Sequence, residues 1–237
     1  MRRVIVVLLG LTFGLVGADF AARAAAEAAV ARNLQASEGL PQRPSVEIRS
    51  FPFLLQVARG VYQKVEVRLR QVPSSGELRL DEVDAELTGV HLPATDLVDP
   101  SARDVPVDAV HATGRITFAT LDAQVSAAIP GNATTVHFAE GGGGRLRVTM
   151  RYDGLGGPLT LSGTAKLSIS ADQLTVSIAD DVLTQVPQPL RPLMAALLTQ
   201  TVPLQRLPFG LVPHTVAITQ DGVTATADSR GAVLHLR

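Results

Sequence analysis

Polar and apolar residues alternate over Tyr62 to Leu69. Val65, Val67 and Leu69 share one side while Lys64, Glu66, Arg68 and Arg70 share the other, which predicts a strand with one solvated face. Farther on, Leu78 and Leu80 lie in one phase and Val83, Ala85 and Leu87 in the opposite one. A strand of period two cannot turn both sets inward without an extra residue, so a β-bulge or break is expected near Asp81 or Glu82. Ala109 to Phe118 reads as another strand. Leu146, Val148, Met150 and Tyr152 alternate with Arg145, Arg147, Thr149 and Arg151, and a longer alternation runs from Leu159 to Ser170. Ala171-Asp172 then leads into Leu174, Val176 and Ile178 as a hairpin. Thr215 to Thr219 pairs in the same way with Val223, Ala225 and Ala227 across Asp221-Gly222.

Helical spacing takes over elsewhere. Asp19 to Ser37 is rich in Ala, has Asp19 as a cap, and is stopped by Gly39 and Pro41; Phe20, Ala24, Ala28, Ala31 and Leu34 or Gln35 approximate a thin inward stripe. Ala119 to Ile129 carries Leu121, Val125 and Ala128 and ends at Pro130-Gly131. Pro187 to Thr201 places Leu190, Leu193, Met194, Leu197 and Leu198 at spacings of three and four, with Pro203 closing the helix. Leu92 to Val107 holds Pro93, Pro100 and Pro106 and reads as a loop, and Gly141 to Gly144 as a flexible connection. The sum is an α+β fold of about eight to ten mostly antiparallel strands and about three helices, with a long curved sheet. Its inner face is built from small residues at Gly163, Ala165, Ala225 and Ala227. Such a face can leave volume unfilled, and an apolar tunnel there would accept an acyl chain.

Two apolar knots interrupt these patterns. Phe51-Pro52-Phe53-Leu54-Leu55 sits between a short strand beginning at Ser45 and the turn at Gly60-Val61, and Leu207-Pro208-Phe209-Gly210-Leu211 repeats it loosely near the end. So many large apolar side chains at a turn are either packed in a core or set against something apolar, such as the wall or mouth of a lipid pocket. Phe51, Phe53, Leu54, Leu55 and Val61 are the candidates in the first knot, and Leu207, Phe209 and Leu211 in the second. Arg49 and Arg59 flank the first knot and have the planar donor geometry that suits a phosphate.

Composition narrows the choice. At 237 residues, 46% hydrophobic and with a net charge of -1, the chain can bury a full core but offers no basic excess for nucleic acid. Aromatic residues make up 4%, too few for a base-stacking platform. With no cysteine, disulfides, thiolate metal sites, a Cys nucleophile and a lipidated N-terminal Cys are all excluded. Membrane attachment must then come from the polypeptide. Arg2 and Arg3 precede an uncharged run, Val4 to Ala18, which is short for a span of about 20 residues but has the form of an export signal. Val16-Gly17-Ala18 fits a cleavage site. Residues 1–18 are therefore expected to be a signal peptide or membrane anchor, and 19–237 a single exported domain.

Catalytic signatures are missing. The sequence has no Gly-x-Ser-x-Gly elbow, His-Glu-x-x-His pair, phosphate-binding Walker loop or dinucleotide fingerprint. His91, His111, His137, His214 and His235 are scattered singly, and the acidic clusters at Asp81-Glu82-Val83-Asp84 and Asp180-Asp181 lack the spacing of a calcium loop. Neither a catalytic residue, a metal site nor a cofactor is expected. A site assembled from distant residues, as in a hydrolase or transferase, remains as a third reading.

The run Ile48-x-x-Phe51-Pro52-Phe53-Leu54-x-Gln56-x-x-x-Gly60-x-Tyr62-x-x-Val65-x-Val67 resembles the LmeA-like phospholipid-binding family of actinobacterial envelope proteins. Gly39-Leu40-Pro41, Gly89-Val90-His91-Leu92-Pro93, Val105-Pro106-Val107-Asp108 and Leu207-Pro208-Phe209-Gly210-Leu211 agree in order, so the resemblance spans about residues 19 to 228. It implies a tubular lipid-binding, BPI-like architecture in which curved sheet wraps a long N-terminal helix. It also implies a non-catalytic envelope protein, periplasmic or membrane-associated, that binds phospholipid of the phosphatidylinositol type at the membrane surface and supports lipomannan or glycolipid assembly. A membrane-tethered interaction module with a filled core and no ligand is the alternative.

Overall fold

The computed structural model describes residues 2–37, 39–72, 79–96, 104–128, 134–154, 157–170, 173–178, 199–203 and 211–235. It is α+β, with mostly antiparallel sheets and a long N-terminal helix, α1 (Arg2–Ser37). At 1.5 Å per residue that helix is about 54 Å long, and it runs unbroken through Ala18 and Asp19. No helix among the described residues is long and apolar enough to cross a membrane.

The chain divides into two compact units. One holds residues 1–70, 84–111 and 229–237, the other 71–83 and 112–228. A six-stranded sheet has the order β1-β2-β3-β4-β11-β10, built from β1 (Ser45–Ile48), β2 (Val61–Val72), β3 (Leu80–His91), β4 (Asp104–Thr117), β10 (Thr215–Ile218) and β11 (Gly222–His235). β2, β3, β4 and β11 each contribute residues to both units. The second unit also contains a five-stranded antiparallel meander, β5 (Thr134–Glu140), β6 (Leu146–Gly154), β7 (Gly157–Ser170), β8 (Gln173–Ile178) and β9 (Thr199–Pro203).

Alternation is honoured where it was strongest. Val67 and Leu69 in β2 and Val83, Ala85 and Leu87 in β3 are buried. In the meander Leu146 and Ala165 are buried and stand opposite one another. Both expected hairpins form, with Ser170 opposite Gln173 and Ile218 opposite Val223. No break falls at Asp81 or Glu82, since β3 runs through both. The alternation slips instead at Gly89 and Val90, which are buried in succession, with Gly89 at φ 63°. A residue of left-handed backbone lets two neighbours face the same way, which is how a glycine bulge works.

Asp81 has another role. Its carboxylate accepts hydrogen bonds from the Thr117 N–H (2.6 Å) and the Thr120 hydroxyl (2.8 Å), fixing the start of α3 (Phe118–Ala128). Burial pushes its pKa up, but these bonds and the Arg115 charge outweigh burial and hold it below the usual carboxylate range. An Asp in the unfolded chain titrates near about 3.9. The stability that Asp81 supplies is complete above that pH and is lost as the pH falls through the lower folded value. Asp81→Asn should therefore lower stability at neutral pH and flatten its acid dependence below about pH 4, measured as urea midpoints across that range.

An exposed strand edge needs its free N–H groups covered, and helix side chains supply acceptors on both sheets. β1 is the edge of the six-stranded sheet, and its Ile48 N–H donates to Glu27 of α1 at 2.8 Å. β5 is the edge of the meander. There Val136 N–H donates to the Ser126 hydroxyl (3.1 Å) and Phe138 N–H to Asp122 (2.7 Å), both on α3. This corrects the inward stripe expected of α1 only in part, since Ala31 and Leu34 are buried as expected while Phe20 and Ala24 are not. Phe20 is exposed, while Asp19, Ala31 and Leu34 are buried, because the packed face carries the polar acceptors that the edge requires.

Other expectations shift as well. β4 begins at Asp104, so Val105 and Val107 are buried strand residues and not part of a loop; Pro106 points outward close to the strand's start, where a missing N–H costs least. Thr199 to Pro203 form β9, where a helix through Thr201 was expected, since cross-strand pairing with β8 overrides the local periodicity. The rest of that helix lies outside the described residues.

Candidate functional site

The Phe51–Leu55 knot turns out to be the entry to a short helix, α2 (Phe53–Arg59). Phe53 and Gln56, three apart, face inward and are buried, whereas the residues between them face out. Helical periodicity thus divides the knot in two. Pro52 occupies the N-cap position and offers no side-chain acceptor. Asp19 of α1 supplies it instead: Oδ2 accepts from the Phe53 N–H at 2.9 Å and Oδ1 from the Leu54 N–H at 2.7 Å. A carboxylate at a helix N-terminus satisfies orphan donors and favours the helix dipole.

The other end of α2 closes at Gly60, whose left-handed backbone (φ 66°) lets its N–H reach back to Val57 O at 3.2 Å. The Gly60 carbonyl in turn accepts from the Leu92 N–H at 2.9 Å. In the middle, buried Gln56 donates to Ser50 O (2.9 Å) and accepts from the Gln63 N–H (3.0 Å). Both ends and the centre are therefore tied to other parts of the same unit.

Beneath the helix, Phe53 (2% exposed) lies against Tyr62 (1%), with ring centroids 6.1 Å apart. The Tyr62 hydroxyl is buried and has no hydrogen-bond partner among the described residues, and burial pushes its pKa up to about 12. Above the helix the picture reverses. Phe51 (63% exposed), Leu54 (42%) and Leu55 (45%) stand outward, and Phe20 of α1 (55%) stacks on Phe51 with centroids 6.2 Å apart. Val61 is half-buried at the start of β2.

The two flanking arginines differ. Arg49 is held by Glu47 (2.6 Å) and Glu66 (3.1 Å), and its hydrogen bond to Glu66 raises its pKa and lowers that of Glu66. That guanidinium is already engaged. Arg59, in the last turn of α2, is exposed and forms no ion pair among the described residues. Leu211 is buried in the second unit, whereas Leu207 and Phe209 lie outside the described residues.

Phe51, Phe53, Leu54, Leu55 and Val61 thus come together with Tyr62, Gln56, Asp19 and Phe20, which the sequence alone does not mark as site residues. The Phe53, Gln56 and Gly60 spacing was the available signal for α2, a helical period closed by glycine. Away from this site, His91, His137 and His214 each pair with a single aspartate, Asp108, Asp122 and Asp228. Among the described residues no group of three or more His, Cys, Asp or Glu gathers at ligating distance.

No curated protein and no solved structure matches the chain. A family model does, over residues 17–228 of 237, a span that takes in the cap at Asp19, all of α2, the five-stranded meander and the six-stranded sheet up to the middle of β11. On that match the protein belongs to the LmeA-like phospholipid-binding family.

Proposed function

We propose that this is a non-catalytic phospholipid-binding protein of the cell envelope, with residues 19–237 exported behind an N-terminal signal or anchor. The family match carries the reading, since it covers nearly the whole folded chain. Acyl chains would lie in an apolar cavity between the curved sheet and the helices of a tubular, BPI-like architecture. Each methylene transferred from water contributes roughly 0.8 kcal/mol, so about ten carbons suffice for firm binding with few polar contacts. That accounts for a site without a conspicuous charged cluster. Phosphatidylinositol-type lipids, encountered at the membrane surface, are the proposed cargo, and support of glycolipid or lipomannan assembly the proposed role.

The unpartnered Tyr62 hydroxyl supports the reading, because a buried donor left unpaired costs about 1–3 kcal/mol and a lipid ester carbonyl would satisfy it. Native mass spectrometry after mild extraction is expected to show co-purifying phospholipid. Tyr62→Phe should retain less of it, while its delipidated form becomes more stable than delipidated wild type. A bare polypeptide mass, together with no uptake of a fluorescent phospholipid, would instead favour a filled-core interaction module.

A further inference from the structure

We infer that the outward face formed by Phe20, Phe51, Leu54 and Leu55 is a docking surface that seats on an anionic phospholipid bilayer. The inference rests on the phospholipid-binding reading for the nature of the partner, but not on an internal cavity. All four side chains are among the exposed large hydrophobics. Three come from α2 or its lead-in residue pair, and the Phe20 ring from α1 is stacked on Phe51. Contiguous exposed apolar groups of this kind mark contact with something apolar.

The face is held in place. Asp19 takes both leading N–H groups of α2, so the residue immediately before Phe20 holds the backbone of Phe53 and Leu54, between Phe51 and Leu55. A surface that merely failed to be buried would not need such a clamp.

Two observations select a bilayer over a protein partner. The first is continuity. Phe20 lies seven residues after Phe13, which places both on one side of α1 within about 20°, and Phe13 is exposed too. The same helix continues N-terminally through the uncharged run Val4 to Ala18, so the apolar face joins the segment most suited to lipid. The second is charge. Asp19 is buried and committed to α2, Glu27 is paired with Arg23 at 2.9 Å, and Arg59 stands exposed at the end of α2. Beside the knot Arg49 is neutralised by Glu47 and Glu66, so Arg59, without an ion pair among the described residues, is the cation of α2 that can meet anionic headgroups.

The chain contains no cysteine, so a single-cysteine variant can be labelled at one site. The full chain carrying Leu55→Cys and an environment-sensitive fluorophore is mixed with phosphatidylcholine vesicles containing phosphatidylglycerol, some bearing spin-labelled acyl chains. Gln220→Cys, in the β10–β11 turn, serves as the control position. The label at 55 should shift to the blue and be quenched severalfold by the spin-labelled lipid, and the label at 220 should not. Adding Arg59→Glu should weaken the effect about fivefold on anionic vesicles and little on neutral ones. Because Val4 to Ala18 alone can hold the chain on a vesicle, mere co-sedimentation is not the readout.

If the label at 55 stays equally open to aqueous iodide with and without vesicles, the docking surface is refuted. A blue shift that grows with protein concentration in the absence of lipid refutes it in favour of a second copy. Native mass spectrometry on the same sample separates the two levels. Bound phospholipid without quenching overturns the docking inference alone, whereas loss of both overturns the lipid-binding reading as well.

Discussion

Asp19→Ala is expected to destabilise the protein by about 3 kcal/mol. Its carboxylate accepts from the Phe53 and Leu54 N–H groups, and the Phe53 bond is buried. Hydrogen bonds to charged groups contribute about 1.5–3 kcal/mol each, and an alanine leaves both donors without an acceptor. Some of that loss is offset because a buried carboxylate no longer has to be desolvated. For a chain of this size the change corresponds to a fall of about 6–12 °C in Tm. Asp19→Asn retains an acceptor oxygen and should lose roughly half as much.

Hydrogen exchange gives the sharper readout, because the loss is local. Amides of α2 should lose protection before those of β2 or β3. Were Asp19 only the cap of its own helix, as its sequence position suggests, alanine would cost about 1 kcal/mol and α2 would stay protected. That pair of results would remove the clamp from the account of the site.

Gly222→Ala should be at least as damaging, at about 3 kcal/mol or more, the upper end for overpacking. A Cβ there would overlap the Ile116 carbonyl oxygen and come 2.8 Å from Thr117 Cα. Neither can withdraw freely, since Thr117 N–H is bound to Asp81 at 2.6 Å and Phe118 N–H to the Asp221 carbonyl at 3.0 Å. Urea unfolding should show the loss directly. Gly143→Ala is the contrasting substitution: its backbone is left-handed (φ 61°), but nothing lies near the added carbon. The conformational cost alone, about 1–2 kcal/mol, is expected there. Equal effects at the two positions would mean that the close approach of Gly222 to β4 does not govern stability.

The site was only partly legible before the structure. The Phe51–Leu55 run stood out because five bulky or rigid residues follow one another without alternation. The sequence presents it as a unit, whereas the fold sends Phe53 inward and Phe51, Leu54 and Leu55 outward. A seven-residue helix marks its period only by Phe53 and Gln56, and the apolar residues around them hide that spacing. Sequence spacing puts Phe20 on the packed side of α1 because apolar residues normally face the core. Here the packed side instead carries Asp19 and Glu27, each answering a backbone donor far along the chain. Arg49 shows the same limit: a promising cation near the knot is already engaged by Glu47 and Glu66.

What the sequence determined by itself is the antiparallel α+β character, the two hairpins, the long N-terminal helix and membership in a phospholipid-binding family. These are local or cumulative signals, because period-two alternation needs only neighbouring residues and a family pattern adds up over the whole chain. What the tertiary structure alone decided is which side of the knot faces out and what Asp19 is for. Its acceptor atoms meet donors 34 and 35 residues away, and the pairing exists only once β1 has brought α2 back beside α1. Hydrogen-bond partners are chosen by proximity in space, and no spacing along the chain records that choice.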